Sequence, residues 1–175
     1  FEKLKNKYKS NKLIKIFPLA IDNKHGSRKF YVNNRTQISS FYKTKKNLSY
    51  KNFPEINLKN KKSLKVKTTT LDKFVYKNKI KKIDILKIDT ECNDDKVLDG
   101  AKKILAKRIP KIIMIEVISG LDFERKISFF DIEKFLIPNR YEIFSLDKGG
   151  NLFNKKLTFN LIYIKKELRK KIIFN

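Results

Sequence analysis

The stretch Ile83–Ala101, IDILKIDTECNDDKVLDGA, decides the fold. Its first six residues form an apolar run of strand length, and from Asn93 onward the apolar positions Val97, Leu98, Ala101, Ile104 and Leu105 recur at helical spacing. A buried strand over Ile83–Ile88 therefore feeds a helix over Asn93–Lys107. Between them lie Asp89 and Glu91, with Asp94, Asp95 and Asp99 close behind. Such crowding is unexpected in a chain with 43 Lys+Arg against 18 Asp+Glu.

Downstream, Lys111–Ile118 is a nearly continuous apolar strand of the kind that sits mid-sheet with both faces covered. A helix is expected over Ser128–Ile137, opened by the S-x-x-D spacing of Ser128 and Asp131. Two late strands, 141–146 and 158–166, are joined through the DKGGN turn at 147–151. Upstream, T-x-x-D at Thr69 and Asp72 predicts a cap and a short helix. RKFYV at 28–32 and LKVKT at 64–68 pair as a hairpin, and the polar stretch of roughly 33–62 between them is a long loop. Leu13–Ile21 reads as a strand followed by the NKHG turn, and residues 1–10 as a helix already in progress.

Strands alternating with helices make this an α/β sandwich around a mostly parallel sheet, ending in an antiparallel hairpin at one edge. At 175 residues with 41% hydrophobic content, a single domain over 1–175 is expected. No apolar run approaches the ~18 residues that cross a bilayer, so the chain is expected to be soluble. Cys92 is the one cysteine, which excludes an internal disulfide and a cysteine-based zinc site and favours a reducing, cytoplasmic compartment. No metal is expected.

Ligand crevices of open α/β sheets lie outside the carboxyl ends of their strands, where Asp89 and Glu91 fall. Asp94 and Asp95 suit a helix N-terminus, whose macrodipole favours acids. Lys87 shares a strand face with Asp89 and is positioned to pair with it. Glu116 interrupts an apolar strand and is either partnered in the core or close to the crevice mouth. His25, in a Lys-His-Gly turn, is expected to be exposed.

LKIDTECNDDKVLDGA, preceded by TTTLDKF at 68–74 and followed by PKIIMIEV at 110–117, resembles the C-terminal region of the FkbM-like methyltransferases, whose pattern there is lLKiDvEGaElevLkGa. FEKLK at the start is similar to the helix after the family's second strand, and LAIDNKHGSRKFYV to its third strand and hairpin. ISSF at 38–41 is similar to its small-residue loop, and RYEIF at 140–144 to a late strand.

The resemblance implies a Rossmann-like sandwich and S-adenosyl-L-methionine as cofactor, with methyl transfer to a hydroxyl of a sugar or other small molecule. Asp89 and Glu91 are the implied catalytic pair; Ala20, Ile21 and Asp22 would contact the cofactor, and Ser39 and Ser40 would line the acceptor site. The glycine-rich turn and second-strand acid of such folds are expected before Phe1, so the chain is expected to be an N-terminally incomplete fragment with poor cofactor affinity by itself, the full-length parent being the methyltransferase. Cys92 stands where the pattern has glycine, a residue that allows φ > 0 or close ligand approach. Asp95 replaces an apolar residue and so removes a packing contact.

The formal charge of +25 raises a different possibility, a non-catalytic basic module that binds nucleic acid or acidic glycan. Its lysines are dispersed rather than striped and no nucleic-acid motif accompanies them, so nucleic acid is not expected as a partner. The basic tail at 165–175 is the place where a weak anionic-membrane contact would form. An inert remnant is a further alternative, and the oligomeric state is not encoded legibly.

Overall fold

The computed structural model describes residues 1–45, 59–118, 123–148 and 158–173. Part of the expected long loop, 46–58, and residues 149–151 of the DKGGN turn lie outside the described residues, as does the end of the basic tail. Among the described residues no helix is long and apolar enough to cross a membrane.

The elements are α1 (Glu2–Lys7), β1 (Ala20–Ile21), β2 (Gly26–Asn33), β3 (Asn60–Thr69), α2 (Leu71–Lys77), β4 (Ile83–Ile88), α3 (Asp94–Asp99), α4 (Lys102–Ala106), β5 (Pro110–Ile118), α5 (Phe129–Leu136), β6 (Tyr141–Lys148), β7 (Thr158–Lys165) and α6 (Lys166–Ile173). They form an α/β structure with two sheets, ordered β1-β3-β2 and β4-β5-β7-β6.

The mostly parallel sheet expected from the alternation of strands and helices is corrected. Pairing is parallel for β1 with β3 and for β4 with β5, and antiparallel for β2 with β3, β5 with β7 and β6 with β7. In the larger sheet β4, β5 and β6 run one way, and β7 returns between β5 and β6. The β6–β7 connection is too short for the dozen or more residues of a parallel crossover, so the last strand has to reverse. The expected terminal hairpin is present in that form.

Other expectations divide instructively. The hairpin of β2 and β3 has the register Arg28↔Val66 and Phe30↔Leu64. Ser128 and Asp131 form a reciprocal capping box on α5. The strand expected over Leu13–Ile21 contracts to β1, because ladder pairing exists only where Ala20 and Ile21 face Thr68 and Thr69. The N-cap of α2 is Thr70, not Thr69. Asp72 is a cap, but of α4: its carboxylate accepts the Lys103 and Ile104 N–H groups, both at 2.9 Å.

That distant cap explains why the helix predicted over Asn93–Lys107 breaks into α3 and α4. Gly100 ends α3, and its carbonyl accepts the Asp72 N–H at 2.9 Å instead of continuing the helix. Gly100 also abuts the chain after β1, since a Cβ there would lie 2.4 Å from the Asp22 carbonyl oxygen. Backbone cannot yield as a side-chain tip can, so Gly100→Ala should destabilise the fold by about 1–3 kcal/mol. Equal urea midpoints for the two proteins would contradict this packing.

The core lies between the larger sheet and the layer of α3, α4 and α5. Leu98, Leu105, Ile113, Ile115, Ile132, Leu136, Leu161 and Tyr163 are buried there. Tyr141 is buried with them, its hydroxyl donating to the Pro110 carbonyl at 2.8 Å. The opposite sheet face differs from expectation, because Ile85 is 65% exposed and Ile112, Met114 and Ile162 are only partly buried. Neither β4 nor β5 is covered on both faces by the described residues. Strand alternation puts Lys87, Asp89 and Glu116 on this open side.

Candidate functional site

Asp89 directly follows β4, and the register Ile88↔Ile115 brings Glu116 of β5 beside it. Carboxylate oxygens of Asp89, Glu91 and Glu116 all lie within 4.8 Å of one another. Glu116 is thus half-buried and partnered by Asp89 at the strand ends. Lys87 Nζ lies 2.9 Å from the Asp89 carboxylate, the pair expected from their shared face.

Burial raises the Asp89 pKa, but hydrogen bonds to the Lys87 ammonium and the Glu116 carboxyl outweigh it and leave Asp89 below the usual carboxylate range. Asp89 is therefore an anion at neutral pH. Its side chain is 38% exposed, open enough to meet a ligand.

The chain turns sharply after Asp89, with Glu91 at φ 51° and Cys92 at φ 71°. Left-handed conformation costs a non-glycine residue ~1–2 kcal/mol, and such strain persists where surroundings enforce it. Here two contacts do so. Ser40 Oγ donates to the Glu91 carbonyl at 2.6 Å, and Arg125 donates to the Cys92 carbonyl at 2.5 Å. Cys92 accordingly keeps the positive φ that glycine would adopt freely, while its side chain is buried.

Asp94 and Asp95 do more than complement a helix dipole, for both are buried. Arg125 grips Asp95 with two nitrogens at 2.7 and 2.6 Å, so the supposed lost packing position carries a two-pronged ion pair. Asp94 accepts from the Thr90 N–H at 3.0 Å and the Thr90 hydroxyl at 2.8 Å. Burial, reinforced by the charge of Asp89 and opposed by the Thr90 hydrogen bonds, pushes Asp94 up to about 6.

An unfolded aspartate titrates near 3.9, so between about 4 and about 6 the folded protein holds the extra proton. Stability contributed by this group therefore falls as pH rises through that window. Asp94→Asn retains an acceptor for Thr90 and carries no charge. It should raise stability at neutral pH by about 1 kcal/mol and flatten the dependence between pH 4 and 6. Urea midpoints across that range give the measurement, and an unchanged slope would contradict the assignment.

Of the remaining sequence-derived residues, Ser40 bonds to this turn directly, and Asp22 and Ile21 are tied to Asn93 just after it. Asp22 is buried, and its carboxylate meets Arg28 at 2.8 Å. Arg28 also donates to Asn93 Oδ1 at 3.2 Å, and the Asn93 amide reaches the Ile21 carbonyl at 3.4 Å. Ala20 and Ile21 are half-buried. Ser40 is spent on the Glu91 carbonyl, and Ser39 Oγ accepts the Asn33 N–H at 3.1 Å. His25 is exposed.

Sequence reasoning missed Arg28, Tyr42, Asn93 and Arg125. The two guanidinium groups lie 5.2 and 4.9 Å from the Tyr42 ring centre, one on each acidic partner's side of the turn. A signal was available: the chain uses six arginines among its 43 cations. In so lysine-rich a protein, an arginine marks places where a planar, forked donor is required.

The family profile described as methyltransferase FkbM domain matches residues 1–149. No curated protein and no solved structure matches the chain.

Proposed function

The chain belongs to the FkbM methyltransferase family, and from that premise we propose that it carries out S-adenosyl-L-methionine-dependent O-methylation of a sugar or small-molecule hydroxyl. The observation that carries this reading is the convergence of Asp89, Glu91 and Glu116 at the ends of β4 and β5. Support for a Rossmann-like methyltransferase domain over 1–175 comes from the order β4-β5-β7-β6 with β7 reversed. A cytoplasmic setting suits a chain whose one cysteine, Cys92, is in no disulfide.

The carboxylate set fits the cationic end of S-adenosyl-L-methionine, which when bound supplies an electrophilic methyl group. Glu91 would lie toward that charge, with Ala20 and Ile21 as apolar contacts, and Asp89 toward the acceptor. Asp22 is a poorer fit, since its carboxylate is already taken by Arg28.

Asp89 would take a hydrogen bond from the acceptor hydroxyl, which aims an oxygen lone pair; as the new C–O bond forms, the hydroxyl proton passes to the Asp89 carboxylate and from there to solvent. Its depressed pKa makes it better suited to orientation and charge stabilisation than to keeping a proton. The Lys87 ammonium fixes its rotamer.

The test is incubation of the protein with methyl-labelled S-adenosyl-L-methionine and panels of glycans and hydroxylated small molecules. Calorimetric titration with the cofactor runs alongside. Transfer of label to an acceptor oxygen supports the proposal. Absence of both binding and transfer overturns it.

A further inference from the structure

At the opposite end of the larger sheet from Asp89 lies a cavity of about 340 Å³ lined by Lys107, Arg108, Lys111, Lys165, Glu167 and Leu168. The strand rise between Lys111 and Glu116 separates the two regions by roughly 16 Å. Topology builds the cup: Lys111 enters β5 where β7 leaves with Lys165, since Ile112 faces Ile164. Lys107 and Arg108 come from the α4–β5 turn, and α6 starts at Lys166.

The acids nearby do not balance these cations. Glu167 pairs with Arg108, and Asp84 is shared by Lys111 at 2.8 Å and Lys82 at 3.0 Å. Glu142 is engaged by Lys166 and Arg169. Among the described residues neither Lys107 nor Lys165 forms a salt bridge, although the Glu167 carboxylate acts on Lys165 from the same cup. Burial first, then the neighbouring charges of Arg108 and Lys111, lower the Lys165 pKa, and the Glu167 carboxylate offsets this only in part.

Among the described residues Glu167 is the one acid of the cup's lining and is balanced by Arg108, which leaves Lys107, Lys111 and Lys165 as the cations over it. Its carboxylate is held below the usual range, first by a hydrogen bond from its own N–H in the opening turn of α6 and also by Arg108. A helix start together with convergent cations suits an anion. The cavity is at the lower end of small-ligand pockets, about 300–1,000 Å³, which favours a compact group with concentrated charge.

We propose that this cup binds a phosphate monoester, carried either by a small soluble metabolite or by a lipid headgroup, with Lys107 and Lys165 as its principal cations. It requires nothing of the chemistry at Asp89.

The test measures binding of inorganic phosphate and glycerol phosphate to the full chain by calorimetry, and of phosphatidylcholine vesicles with and without phosphatidic acid by co-sedimentation. Two equal-charge variants are compared, Lys107→Gln/Lys165→Gln in the cup and Lys61→Gln/Lys62→Gln on β3. The cup variant should bind about tenfold more weakly and the β3 variant unchanged. Preference for glycerol phosphate supports a metabolite, and preference for phosphatidic acid vesicles supports a lipid. Equal loss in both variants, or no loss in either, overturns the site by reducing it to attraction by net charge. Should the cup pair fail to fold, the exposed Lys107→Gln alone should still show about a threefold loss, and no loss there counts equally against the proposal.

Discussion

Arg125→Met is expected to destabilise the protein by about 3 kcal/mol, seen as a lower urea midpoint with an unchanged slope. The reason is desolvation. The Asp95 side chain is 5% exposed and faces Arg125 through two contacts; without them its other cation is Lys96, at 3.6 Å. A buried carboxylate deprived of its partner keeps the cost of leaving water and loses most of the compensation. Removing Arg125 also frees the Cys92 carbonyl and weakens one of the two restraints on the left-handed turn. The double replacement Asp95→Leu/Arg125→Met should recover most of the loss, because an apolar pair of similar volume does not need a counter-charge. A change below about 0.5 kcal/mol for Arg125→Met would mean that the pair behaves like an exposed one.

The clamp also shows which parts of the molecule were readable in advance. Periodicity placed β4, β5, β6, β7 and α5, because each depends on its own apolar pattern or cap. Long-range partners were not readable: Asp72 looks like a local cap for α2, yet it caps α4 across the chain. Gly100 looks like a tolerable residue inside a helix, but the approach of Asp22 makes it the break between two. For the site, local spacing placed Asp89 at a strand end, and the family pattern's glycine at Cys92 pointed to positive φ or close ligand approach, of which the structure shows positive φ. The identity of what holds the turn was hidden, since Ser40 and Arg125 come from segments far away in sequence. The departure at Asp95 gives up an apolar contact and gains a two-pronged ion pair with Arg125. A single-position comparison cannot reveal a compensation made by another residue.

Asp89→Asn should lower kcat by about 100-fold while changing the dissociation constant for S-adenosyl-L-methionine by less than about threefold. The asymmetry follows from the role assigned to the group. Asparagine preserves the outline and one acceptor oxygen, but not the negative charge that stabilises the acceptor as its proton departs. The Lys87–Asp89 pair is partly exposed, so its loss should cost the fold no more than about 1 kcal/mol and leave the turnover defect interpretable. The pH profile adds a second constraint. With a folded pKa depressed below the usual carboxylate range, Asp89 stays ionised through neutral pH, and its contribution should fade only as acidity protonates it. Lys87→Gln would remove the neighbour that depresses that pKa and should move this acid limb upward in pH with a smaller fall in kcat. If Asp89→Asn weakens cofactor binding as much as turnover, the carboxylate belongs with the donor's positive charge instead of the acceptor. If neither quantity changes, Asp89 is a surface ion pair, and the chemistry must rest on Glu91 and Glu116.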